Sequence, residues 1–79
     1  MSKLLPSDAE NLDGFSDPIS LERYGSLARN AGAPGAYCEY ATTKALAMVA
    51  RMNGDIPKAL LLEKECDSIY LRMPNEWRW

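Results

Sequence analysis

The chain has no histidine among its 79 residues. That removes the commonest general base, the commonest metal ligand and every mechanism in which an imidazole activates a serine or a cysteine. Two cysteines are present, Cys38 and Cys66, without CxxC spacing. Two thiols and no imidazole fall short of a four-ligand zinc site. Valine occurs once and isoleucine three times, and no four residues alternate apolar and polar with β-branched enrichment. The strand signal is therefore missing. No run approaches the ~20 apolar residues of a membrane span. The stretch Met1 to Leu5, closed by Pro6, is too short for a secretory h-region. Neither sign of charge dominates: nine basic against eleven acidic residues, a net of −2. A nucleic-acid binder usually carries a strongly basic stripe, and Lys44 with Arg51 on one helix face is a weak footprint beside Glu63, Glu65 and Asp67. The expectation is a soluble, cytoplasmic protein with reduced, buried cysteines, no cofactor or metal, no membrane contact and no direct nucleic-acid binding.

What is present is the composition of a small globular domain, 47% hydrophobic and 25% charged. A chain this short buries only about 60% of the surface its unfolded form exposes. Its core supplies roughly 3–5 kcal/mol of net stability, so a partner or a second copy would help it.

The sequence reads as all-α, a small three-helix bundle over 19–79 preceded by an acidic arm over 1–18. Through Pro18 the arm carries Lys3 against Asp8, Glu10, Asp13 and Asp17, a net of −3. Ser7 and Glu10 have capping-box spacing, which suggests one helical turn around Asp8 to Leu12. Leu4, Leu5, Leu12 and Phe15 are the side chains able to pin the arm to the body; a docked and a flexible arm are both open.

Helix 1 is expected over about Leu21 to Ala31, with apolar Leu21, Tyr24, Leu27, Ala28 and Ala31. Two start signals overlap. Asp17 before Pro18 places proline at the first helical position. Ser20 as N-cap would instead make a staple of Ile19 and Tyr24. Gly32-Ala33-Pro34-Gly35 is a turn. Helix 2 spans about Ala36 to Met52, with the stripe Cys38, Ala41, Ala45, Met48 and Met52. Asn53-Gly54 closes it, Asp55 caps helix 3, and Pro57 lies in the first turn. The helix 3 stripe is Ala59, Leu62, Cys66, Ile69 and Met73, with Ile56, Leu60 and Tyr70 beside it. Leu61 and Leu71 fall off that stripe as candidate surface apolar residues, and Pro74 stops the helix. So short a link makes helices 2 and 3 an antiparallel hairpin.

The hairpin shares Leu46, Ala47, Gly54-Asp55, Ala59 and Cys66 with the tetratricopeptide pattern. Thr43 and Ala50 stand at that repeat's aromatic positions, Pro74 falls three residues late, and no second copy follows. A generic αα-hairpin is the reading.

Candidate chemistry is sparse. Cys38 in the first turn of helix 2 is the one thiol with a reason for a lowered pKa, which would suit a thiol-dependent enzyme or redox sensor. Glu63 and Asp67 share a helix face, but Lys64 and Arg72 make it a mixed-charge, solvated face. The acidic run from Asp8 to Gly14 lacks the oxygen-ligand spacing of a calcium loop. The most informative feature is the end of the chain, Trp77-Arg78-Trp79. Tryptophan and arginine are the residues most enriched at interface hot spots. The indoles either close the base of the core or anchor a partner.

These features lead to a non-enzymatic interaction protein that docks on a larger protein or ribonucleoprotein complex. Trp77, Arg78 and Trp79 would be its anchors, and Asp8, Glu10, Asp13 and Asp17 would face a basic partner. In size and character it is like phage and mobile-element inhibitors of host machinery, anti-CRISPR proteins among them. A homo-oligomeric or accessory adaptor using the hairpin, with Leu61 and Leu71 exposed, is the alternative, and a homodimer is compatible with both.

Overall fold

The computed structural model describes residues 3–79; the first two residues of the arm lie outside it. Three helices carry the fold: α1 (Pro18–Asn30), α2 (Gly35–Met52) and α3 (Ile56–Arg72). Single 3₁₀ turns stand at Pro6–Asp8, Leu12–Gly14 and Asn75–Trp77, and no strand occurs among the described residues.

Of the two competing starts for helix 1, Asp17 is the one used. Its carboxylate accepts from the backbone N–H and the hydroxyl of Ser20 at 3.1 and 2.8 Å, and Pro18 occupies the first turn, where a missing N–H costs nothing. The helix therefore begins three residues before Leu21, and Ile19 points to solvent instead of stapling onto Tyr24. Gly32 ends α1 in the left-handed region (φ 88°), and Gly54 does the same after α2 (φ 79°). Asp55 caps α3 by accepting from the Lys58 N–H.

α2 is the central element. α1 packs on one side of it and α3 on the other, and the two outer helices hardly meet. Both run antiparallel to α2: on the α1 side Arg29 lies beside Cys38 and Gly25 against Ala41. Glu39 pairs with Arg72, Tyr40 meets Tyr70 and Arg51 pairs with Glu63, so numbers rise along α2 as they fall along α3. Gly25 sets the α1 contact: a Cβ there would lie 2.9 Å from the Cβ of Ala41. The flat, elongated body measures 39 × 23 × 17 Å.

Such a layer leaves a trough over α2 between α1 and α3. The arm and the tail fill its lower half. Leu12, Tyr37, Tyr40, Met73 and Trp77 join Leu21, Cys38, Cys66 and Ile69 in one core. The arm is thus docked, but its local structure differs from the capping-box expectation. Turns form at Pro6–Asp8 and Leu12–Gly14, while the chain between them is not helical. The reason is tertiary. Tyr37 donates to the Glu10 carbonyl (2.6 Å), and the Glu10 N–H donates to the Tyr24 hydroxyl (2.9 Å). The two hydroxyls lie 3.1 Å apart, so Tyr24 donates to Tyr37 and the ring of bonds closes. Both backbone groups of Glu10 are thereby withdrawn from any helix.

α1 has 13 residues and α2 has 18, so the last turn of α2 runs on beyond α1. Met52 continues the α1-facing stripe of α2 but lies past its neighbour and is 74% exposed. Leu27, expected on the α1 core stripe, faces outward, and Gly25 takes the buried position in its place.

Candidate functional site

The C-terminal aromatics close the core in this chain. Trp77 is 8% exposed and packs on Tyr37, ring centroids 5.2 Å apart. Trp79 lies edge-on between Tyr40 and Tyr70, 4.9 Å from each. Its indole N–H donates to Asp13 at 2.8 Å, and the Tyr70 hydroxyl donates to its backbone carbonyl. Arg78 folds back over the Tyr70 ring and donates to the carbonyls of Leu71 (2.6 Å) and Met73 (3.0 Å). It thereby satisfies backbone groups that the end of α3 leaves open. All three residues are engaged within the fold.

The four arm carboxylates divide into two kinds. Asp17 is the α1 cap. Asp13 accepts from the Tyr40 hydroxyl at 2.7 Å as well as from Trp79, and Lys44 Nζ lies 3.5 Å away. Partial burial pushes the Asp13 carboxyl up, but the bonds from Tyr40 and Trp79 and the charge of Lys44 together hold it below its ordinary value. Asp8 and Glu10 lie at the surface with their carboxylates in none of the ion pairs of the described residues.

Thiol chemistry has little footing. Cys38 is free and 1% exposed. Burial pushes its thiol up despite a lowering contribution from Arg29, the direction opposite to the one its place at a helix start suggested. Cys66 is also buried and free, its pKa pushed up to about 11. Among the described residues no group of three or more metal-ligating side chains converges, and no helix is long and apolar enough to cross a membrane. An open hollow of about 530 Å³ is lined by Glu10, Asn11, Gly14, Phe15 and Tyr24. Its polar groups are largely bonded already: Tyr24 to Glu10, and the Asn11 side chain to the Asp13 N–H.

The unsatisfied surface lies elsewhere. Of the ten large apolar side chains exposed among the described residues, six fall between Leu46 and Leu61, on the free half of the α2–α3 hairpin. Leu61 and Leu71, expected at the surface, are 70% and 71% exposed. Val49, Met52 and Ile56 surround the hairpin end itself. The charged residues at this end are mixed in sign, Arg51 and Lys58 against Asp55 and Glu63. Arg51 and Glu63 clasp α2 to α3 through paired bonds, one of them 2.8 Å long. Sequence reasoning placed Met52 in a core stripe and missed this end, because the relative length of α1 and α2 decides it.

No family model matches this sequence, and no curated protein and no solved structure is significantly similar to it. The functional reading rests on the molecule's own surface.

Proposed function

We propose that this protein is a non-enzymatic interaction module that docks on a larger protein or ribonucleoprotein complex through the free end of the α2–α3 hairpin. The observation that supports the reading is that Val49, Met52 and Ile56 are all exposed within eight residues across the α2–α3 turn, where α2 outruns α1. Apolar surface collected in one place, rimmed by polar residues, marks interaction sites, whereas scattered apolar residues need no explanation. The partner surface that suits this end is an apolar cleft. A small rigid wedge held in a cleft blocks what the cleft otherwise receives. This supports a modulator or inhibitor of that complex, in keeping with phage or mobile-element proteins of similar size.

The test is affinity capture from the native host lysate, comparing the natural chain with Met52→Glu/Ile56→Glu. Both side chains are exposed, so the double variant keeps its fold. A stoichiometric partner held by the natural chain and lost with the variant is the expected result. Equal recovery with both, or none with either, overturns the reading.

A further inference from the structure

A second exposed face runs along α3, beginning one turn beyond the hairpin end. The core face of α3 is Ala59, Leu62, Cys66, Ile69 and Met73. Among the described residues α3 packs mainly on α2 and hardly meets α1. Leu60, Lys64, Asp67 and Leu71, spaced four, three and four apart, line one face, and all four are exposed. Neither Lys64 nor Asp67 belongs to an ion pair among the described residues.

We infer that this face is where two copies of the chain meet, α3 against α3 and antiparallel. The pattern reads the same from both ends once charge is taken into account. In the register that sets Leu60 of one copy against Leu71 of the other, Lys64 falls opposite Asp67, Asp67 opposite Lys64, and Leu71 opposite Leu60. Two apolar contacts flank two opposite-charge contacts, and a two-fold axis generates the whole set, as an isologous interface requires. The parallel alternative sets lysine on lysine and aspartate on aspartate, so the same residues select orientation. Leu61 adds apolar area on the flank of the stripe. One helix face is smaller than the ~800 Å² per partner of a standard interface, so the dimer is concentration-dependent. The antiparallel arrangement sends the two hairpin ends to opposite poles, giving an adaptor with two identical docking points.

Sedimentation equilibrium of the full chain over about 10 μM to 1 mM tests this. The mass should rise from 8.8 kDa toward twice that value. Lys64→Asp places four carboxylates at the centre and should weaken association at least ~10-fold, as should Asp67→Lys with four lysines. The double variant K64D/D67K rebuilds the alternation and should return to within ~3-fold of the natural chain. Far-UV circular dichroism checks that each variant remains helical. A monomer throughout the range, single variants that associate as well as the natural chain, or a double variant no better than the singles would each overturn the inference. Capture through Met52 and Ile56 is read separately, so the two proposals fail independently.

Discussion

The indole N–H of Trp79 donates to Oδ2 of Asp13 at 2.8 Å, across 66 positions of sequence. The other oxygen of the same carboxylate accepts from Tyr40 on α2. One side chain thus ties the arm, the central helix and the last residue together. Asp13→Ala should cost about 1.5–2 kcal/mol, the lower part of the range for hydrogen bonds to a charged group, because the carboxylate is half exposed. Chemical denaturation followed by tryptophan fluorescence measures it. Because the Asp13 carboxyl is held below its ordinary value, its contribution is complete above the unfolded pKa of about 3.9 and is lost as pH falls through the lower folded value. The fluorescence of Trp79 should change in that acid range, and Asp13→Asn should lack that step. An unaltered acid profile in the variant would contradict this.

Trp77→Ala should destabilise the chain by roughly 3–5 kcal/mol, the usual cost of removing a buried aromatic side chain. A core of this size has little more than that in total. The variant, or a chain ending at Glu76, should be largely unfolded at 37 °C by circular dichroism. Retention of the natural Tm would mean that the tail is dispensable to the fold.

Gly25→Ala would improve helix propensity by about 0.8–1 kcal/mol. The new Cβ, however, meets Ala41 at 2.9 Å, and neither side chain has a torsion that relieves the contact. Overpacking costs typically 1–3 kcal/mol, so a net loss of about 1–2 kcal/mol is expected. Thermal melts decide the sign. A stabilised variant would show that α1 and α2 separate without penalty.

Cys38 should react slowly with iodoacetamide at neutral pH, and the rate should climb with sub-denaturing urea, since the thiol becomes available only on opening. Rapid labelling in the folded state would return thiol chemistry to consideration.

Local signals in the sequence mark the helix ends but do not choose between Asp17 and Ser20 as the start of helix 1. Asp17-Pro18, the glycine after α1 and the run Asn53-Gly54-Asp55 each act within a few residues, and each stands where it was expected to act. The arm was harder, because its conformation is set by Tyr24 and Tyr37, 13 to 27 residues away, and outweighs the Ser7–Glu10 spacing. Met52 and Leu27 illustrate another limit. Periodicity assigns a face, but the extent of the neighbouring helix decides whether that face is covered. Tyr40 escaped the core reading because its partners, Asp13 and Trp79, come from the two ends of the chain. Periodicity sets Leu60 beside the core stripe of helix 3, whereas it is 55% exposed and shares the outer face with Lys64, Asp67 and Leu71, because α3 is covered by α2 alone.

The most direct test of the docking account is site-specific photo-crosslinking in the native host. A benzophenone amino acid would replace Met52 at the hairpin end and, separately, Leu27, a 62% exposed apolar residue of α1. The account predicts one stoichiometric adduct from position 52, with an apolar cleft at the crosslinked site, and none from position 27. No adduct from position 52, or the same adduct from both, would contradict it.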